Sequence, residues 1–166
     1  MAEIYKAQPP FYAVLREGSS GPDVAMAQTW LEGLRGEWPA LPNLQIDGRF
    51  GTDTRNAVRL FQLANGLRED GEIGKNTWDA LYSRYADRHG AGERYPGIAL
   101  RKGQRGASVR SAQNKLKTLV PNLSADGYFG KKTEAAVMAW QASNGLTMDG
   151  VIGKDTWNSL HGTTRK

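Results

Sequence analysis

A chain of 166 residues is long enough for one ordinary domain or two small ones, and with 39% hydrophobic and 23% charged residues it has the composition of a folded protein. It contains no cysteine, which excludes disulfides, thiolate metal sites and cysteine nucleophiles. The net charge of +5 is unevenly spread, with 7 basic against 10 acidic residues from Leu15 to Leu81 and 9 against 4 from Leu100 to Leu160. A basic second half favours an anionic partner, and it equally describes a solvated charged face. No apolar run approaches the ~20 residues that span a membrane. Residues 1–12 hold no apolar core of signal-peptide length.

After an N-terminal extension (1–14) the chain repeats itself. Leu15-Arg16-Glu17-Gly18 returns as Leu100-Arg101-Lys102-Gly103, and Ala27-Gln28 returns as Ala112-Gln113, both 85 positions later. The first helix is predicted to begin at Pro22, because proline has no N–H to leave unpaired in a first turn and Asp23 suits the helix dipole. Val24, Ala27, Leu31 and Leu34 fall on one helical face, as do Val109, Ala112, Leu116 and Leu119. Six extra residues around Gly36, Trp38 and Pro39 then read as a surface loop confined to the first copy. Trp30, Trp38 and Met26 form a candidate exposed patch for protein docking.

Asp47-Gly48-Arg49-Phe50-Gly51 follows, matching Asp126-Gly127-Tyr128-Phe129-Gly130 at an offset of 79. The aspartates are expected to accept backbone N–H bonds, and the glycines to permit positive φ. A second helix starts near Thr52 or Asp53, either of which is a suitable cap. Its apolar face is Ala57, Val58, Phe61 and Ala64, and in the second copy Ala136, Val137, Trp140 and Ser143. Asn65-Gly66 and Asn144-Gly145 end it, since both residue types tolerate the left-handed conformation. A second Asp-Gly-x-x-Gly turn begins at Asp70 and Asp149. It leads into a short third helix carrying Trp78 and Leu81, with Tyr82 as a further candidate, or Trp157 and Leu160. Phe61, Trp78, Trp140 and Trp157 are predicted core anchors. These spacings divide the chain into module one (15–85), a Gly- and Pro-containing linker (86–99) that includes Gly90, Gly92, Pro96 and Gly97, module two (100–161) and a tail (162–166). The predicted fold class is all-α, two tandem three-helix bundles.

Each copy thus reads L-R-x-G-x-x-G-x-x-V-x-x-A-Q, D-G-x-F-G-x-x-T-x-x-A-V, an aromatic-Gln pair, Asn-Gly-Leu, and D-G-x-I-G-x-x-T-W-x-x-L. This pattern resembles the peptidoglycan-binding domain found beside the catalytic domains of bacterial and phage cell-wall hydrolases. The resemblance covers about three quarters of the chain. It implies non-catalytic binding of peptidoglycan, through its glycan or stem peptide, in an extracellular, wall-associated, spore or phage setting. A catalytic wall-hydrolase domain is the implied partner. The family's groove near the Asp-Gly turns implies ligand-binding roles for Asp47, Arg49, Gln62 and Asp70, and for Asp126, Tyr128, Gln141 and Asp149. Gln62 and Gln141 stand out because an amide both donates and accepts. Arg49 and Tyr128 occupy the variable position of the turn and are expected to point outward.

No catalytic residues, metal site or cofactor are expected. A zinc amidase needs about three protein ligands, and the chain has only His89 and His161. The recurrent aspartates sit in turns duplicated with the fold, unlike the paired carboxylates of a glycosidase cleft. Neither a G-x-S-x-G elbow nor a phosphate-binding glycine loop is present. Two other classes stay open. One is a structural protein–protein module. The other, disfavoured by the acidic first copy, is a nucleic-acid-binding helical protein.

Overall fold

A computed structural model describes residues 9–90 and 94–162. The first part of the N-terminal extension, Gly92 of the linker and the tail beyond residue 162 lie outside the described residues. Six helices follow in order: α1 (Pro22–Gly33), α2 (Thr52–Ala64), α3 (Lys75–His89), α4 (Ala107–Leu116), α5 (Lys131–Ser143) and α6 (Lys154–Leu160). The described residues hold no strand, only four isolated antiparallel bridges. The molecule is all-α, with three helices in each repeat.

The repeated apolar spacings build two separate cores. Val24, Ala27, Leu31 and Leu34 pack with Phe61, Trp78 and Leu81 in the first; Val109, Ala112 and Leu116 pack with Phe129 and Trp157 in the second. Leu119 leaves the expected stripe. Helix α4 stops at Leu116, so Leu119 sits in the following turn and is 40% exposed. Ala64 and Ser143 end exposed at the last turns of α2 and α5. Trp140 is half-buried rather than a full core anchor, because its indole N–H reaches out to the Ser159 hydroxyl at 3.1 Å.

Two of the three residues of the candidate docking patch are buried and the third, Trp38, is half-buried. Trp30 is 2% exposed, edge-on to Trp78 at 4.8 Å and to Tyr82 at 5.7 Å, and Met26 is buried beside it. Trp38 folds its loop back onto the module, edge-on to Phe61 at 5.9 Å. Tyr82 belongs to a longer α3 than expected. That helix runs to His89, past residue 85, and buries Tyr82 and Ala86 against the first core. Its counterpart α6 has seven residues.

The helix ends follow local chemistry with two adjustments. Gly51, Gly74, Gly130 and Gly153, not Thr52 or Asp53, are the N-cap residues of α2, α3, α5 and α6, in extended backbone and without side-chain caps. Thr52 and Asp53 instead lie inside the first turn. At the C-terminus of α2 only Gly66 takes the left-handed conformation (φ 68°), while Asn65 does not. The Leu67 N–H then closes back on the Gln62 carbonyl at 2.9 Å, a Schellman-type termination repeated by Leu146 and Gln141.

The segments before each repeat are straps. The Trp78 indole donates to the Pro9 carbonyl at 2.8 Å with Phe11 edge-on to its ring, and Tyr95 of the linker lies edge-on to Trp157. Each strap continues into a bridge with the second turn of its module, Leu15 with Ile73 and Leu100 with Ile152. Each also crosses to the other module. Tyr12 packs over Gly127 and Ile98 packs over Gly48.

The modules meet where α1 and α4 begin. Asp23 accepts hydrogen bonds from the Ala107 N–H (2.7 Å) and the Ser108 N–H (3.2 Å), so one module's acid caps the other module's helix. Asp23 and Ser108 are equivalent in the repeat, and the Ser108 hydroxyl is buried there without a hydrogen-bond partner among the described residues. Gly106 makes this approach possible. Its φ is 143°, and a Cβ there would stand 2.6 Å from an Asp23 carboxylate oxygen. Gly106→Ala is expected to loosen the junction and lower stability by about 1–3 kcal/mol, measured by urea unfolding. An unchanged midpoint would mean that the junction contributes little.

Candidate functional site

The four Asp-Gly turns are locked from beneath by four glutamines. The Gln62 amide donates to the Asp70 carboxylate (3.0 Å), the Glu72 carbonyl (2.8 Å) and the Thr77 hydroxyl (3.1 Å), while its oxygen accepts the Gly71 N–H (2.9 Å). Gln28 does the same for Asp47, Arg49, Thr54 and Gly48. Gln113 holds Asp126, Tyr128, Thr133 and Gly127; Gln141 holds Asp149, Val151, Thr156 and Gly150. One side chain therefore satisfies the buried polar groups of a whole turn, a requirement wherever backbone leaves regular structure in an interior.

This geometry relocates two of the expected ligand contacts. Gln62 and Gln141 are each 1% exposed, with their amides engaged inside the fold. They are placed to position the turns, not to touch a polymer. Gln28, Gln113 and the threonines at positions 54, 77, 133 and 156 complete the locks and were not singled out from sequence. Their signal was present: an Ala-Gln or aromatic-Gln pair precedes every turn, and a threonine follows each aspartate at a fixed distance.

The remaining expected residues are exposed: Asp47, Arg49, Asp70, Asp126, Tyr128 and Asp149. Each aspartate accepts the N–H two residues ahead at 2.9–3.0 Å. That bond holds all four carboxyls below the ordinary carboxylate range, with the glutamine amide adding to it. In each turn the first glycine takes the positive φ that the tight reversal requires, Gly48 at 74° and Gly127 at 81°. The second glycine does not.

The lowered carboxyls carry a sign. Their stabilisation is present above the unfolded value of 3.8 and is lost as pH falls through the lower native values. Acid unfolding is therefore expected below pH 3.8, and Asp70→Asn together with Asp149→Asn is expected to flatten it. Circular dichroism across an acid titration checks this, and an identical acid limb in the double variant would contradict it.

Beside the first turn of each module lies a shallow hollow at an equivalent position. In module one it has a volume of about 420 Å³, bordered by Asn43, Gln45, Asp47, Arg49, Thr52 and Asp53. In module two it is about 220 Å³, bordered by Ser124, Asp126, Tyr128, Lys131, Lys132 and Thr133. The frame is common and the chemistry differs. Lys131 and Lys132 replace Thr52 and Asp53, and an exposed phenol replaces a guanidinium. Asp70 and Asp149 sit at the second turns, outside both borders.

The histidines are elsewhere. His89 stacks on Tyr85 and pairs with the Gly33 carbonyl; His161 stacks on Trp157 and pairs with Ser111. No group of three or more His, Asp or Glu among the described residues is arranged to hold a metal ion.

The family described as "Putative peptidoglycan binding domain" matches residues 20–81 and 105–160. The chain belongs to this family. The two matched stretches fall within the two helical modules, and each contains both of its locked turns. Among curated relatives, the chain is 32% identical over 160 residues to the N-acetylmuramoyl-L-alanine amidase CwlL of Bacillus licheniformis, covering 86% of this chain and 44% of the amidase. It is 36% identical over 115 residues to the amidase CwlM of Mycobacterium tuberculosis, covering 68% and 27% of the two chains. It is 41% identical over 73 residues to the zinc D-Ala-D-Ala carboxypeptidase of Streptomyces albus G, covering 44% and 28%. The chain spans less than half the length of these relatives. Among solved structures, the SleB N-terminal domain is 32% identical, covering 46% of this chain and 99% of that one with a TM-score of 0.40.

Proposed function

We propose that this chain binds bacterial cell-wall peptidoglycan through the two hollows beside its first Asp-Gly turns, without cleaving it, and that it brings an associated wall hydrolase to its substrate. The observation that carries this reading is the duplication of one rigid frame. Four buried glutamines fix four turns, and two equivalent hollows open beside them with acid, amide, cationic and phenolic groups on their rims. Such groups hydrogen-bond sugar hydroxyls and peptide amides, and the exposed Tyr128 ring offers a stacking face. Fixed turns avoid the ordering entropy that a mobile site loses on binding. Two sites on one chain raise apparent affinity for a repeating polymer through effective concentration. The wall, outside the cell or in a spore or phage setting, is the location that follows.

The test is co-sedimentation with insoluble, protein-free sacculi at low and moderate salt, with turbidity followed in parallel. Retention at both salts without clearing is the expected result. No retention on several wall types would overturn the binding reading and favour a protein-docking role; clearing would overturn the non-catalytic one.

A further inference from the structure

A third hollow lies between the modules, with a volume of about 320 Å³. Gly21 and Gly48 line one side and Gly103 the other, together with Ser20, Asp47, Ile98 and Gln104. Arg49 and Arg105, both exposed, stand at its border. It is not isolated from the hollows already described. Asp47 and Arg49 border both it and the module-one hollow. Arg105 borders it and holds its guanidinium 5.1 Å from the ring centroid of Tyr128, which borders the module-two hollow. The three depressions thus follow one another across the molecule, linked by Arg49 at one side and by the Arg105–Tyr128 pair at the other.

We propose that they form one trough, that a single polymer strand crosses from module to module along it, and that the junction is a separate subsite taking a carboxylate of that strand. This rests on the wall-binding reading above and adds to it a third position and a ligand chemistry. Two guanidiniums at its border, against the single carboxylate of Asp47, suit a planar anion, which arginine binds through paired N–H donors. The repeat itself argues that the junction is specialised. Arg105 corresponds to Ser20, and Arg49 corresponds to Tyr128, so neither cation is duplicated. Gly21 and Gly48 are tied together within module one, as Gly106 and Gly127 are within module two, and Ile98 of the linker packs over them. Gly21 donates to the Gly48 carbonyl at 2.8 Å, and a Cβ on Gly48 would meet Ile98 and the Gly21 carbonyl. Two independent sites would leave this region without a role and would bind two short ligands per chain.

The experiment is titration calorimetry of the full chain with soluble wall strands of several disaccharide units. Three forms separate the carboxylate sources: strands with free stem-peptide carboxylates, strands with those carboxylates amidated, and glycan stripped of peptide, which keeps the carboxylate of the sugar. The variants are Arg105→Ser, which installs the residue of the equivalent position, and Arg105→Lys, which keeps the charge. We expect one strand per chain and about tenfold weaker binding for Arg105→Ser on the free-carboxylate strand, as for loss of one charge-assisted contact. Arg105→Lys should recover part of that loss. If amidation removes the difference between wild type and Arg105→Ser, the stem peptide supplies the anion; if the difference persists on stripped glycan, the sugar does. Equal affinity of wild type and Arg105→Ser on every strand, or two strands per chain, would overturn the trough while leaving the wall-binding reading intact. Failure of the wild type to bind any strand would overturn the wall-binding reading and the trough with it.

Discussion

Gln62→Ala is expected to unfold the first module at room temperature, not merely to weaken a surface contact. The substitution removes the acceptor of the buried Gly71 N–H and the donors to Thr77, Glu72 and Asp70 at once. Each buried polar group left without a partner costs about 1–3 kcal/mol. Two or three of them match the roughly 3–5 kcal/mol that a core of this size supplies. Asp70→Asn is the informative control, because Asp70 is exposed and its loss leaves the other lock bonds in place. Far-UV circular dichroism and tryptophan fluorescence through a urea titration measure both variants. A native melting curve for Gln62→Ala with lost sacculus binding would make Gln62 a ligand contact, contrary to its buried position here.

Asp23→Ala is expected to uncouple the modules, so that one cooperative unfolding transition becomes two. It strips the acceptor from two N–H groups at the start of α4, a loss of about 2–4 kcal/mol near pH 5. The pH matters. Burial raises the Asp23 carboxyl to about 6, against the pull of the two N–H bonds and of Arg110. A group raised above its unfolded value of 3.8 contributes its full stability at low pH and loses it as pH rises through 6. The docked wild type is therefore expected to weaken between pH 4 and pH 7, and the cost of Asp23→Ala to shrink by about 2 kcal/mol at pH 7.5. Asp23→Asn should remove the slope in that window. The four turn aspartates act in the opposite direction and only below pH 3.8, so the two effects separate in one set of urea curves at pH 3, 5 and 7.5. A wild-type curve flat from pH 4 to 7 would refute the assignment to Asp23.

The helices were legible because their signals are local. Pro22 followed by Asp23, the 3-4-3 apolar spacing and the Asn-Gly stops act within one or two turns of chain. The extension of α3 beyond Tyr82 was missed because Ala86 joins the first core only through packing with distant residues, a tertiary effect. Trp30 looked exposed for the same reason, since its neighbours Trp78 and Tyr82 lie about fifty residues away in sequence. The turns were read correctly as turns, yet their aspartates and glutamines were assigned alike to ligand contact. Burial divides those residues. The aspartate accepts local N–H groups and remains at the surface, whereas the glutamine reaches the same turn from a helix beneath it. The junction left no trace in the repeat pattern, because its key pair, Asp23 and Ser108, is where the two copies differ.

The two modules meet through equivalent surfaces, and each strap, anchored on its own module, also touches the other, so the pairing occupies the same face of both. Strict identity of the copies is also ruled out at its centre. An aspartate at position 108 would add a second buried carboxylate near Asp23, and the counterpart of Ala107 in α1 is Pro22, which has no N–H to offer it. One acid and one serine avoid that repulsion, at the cost of a serine hydroxyl with no hydrogen-bond partner among the described residues. Covalent tandem duplication, which allows one half to change without the other, is the arrangement in which such a pairing can form.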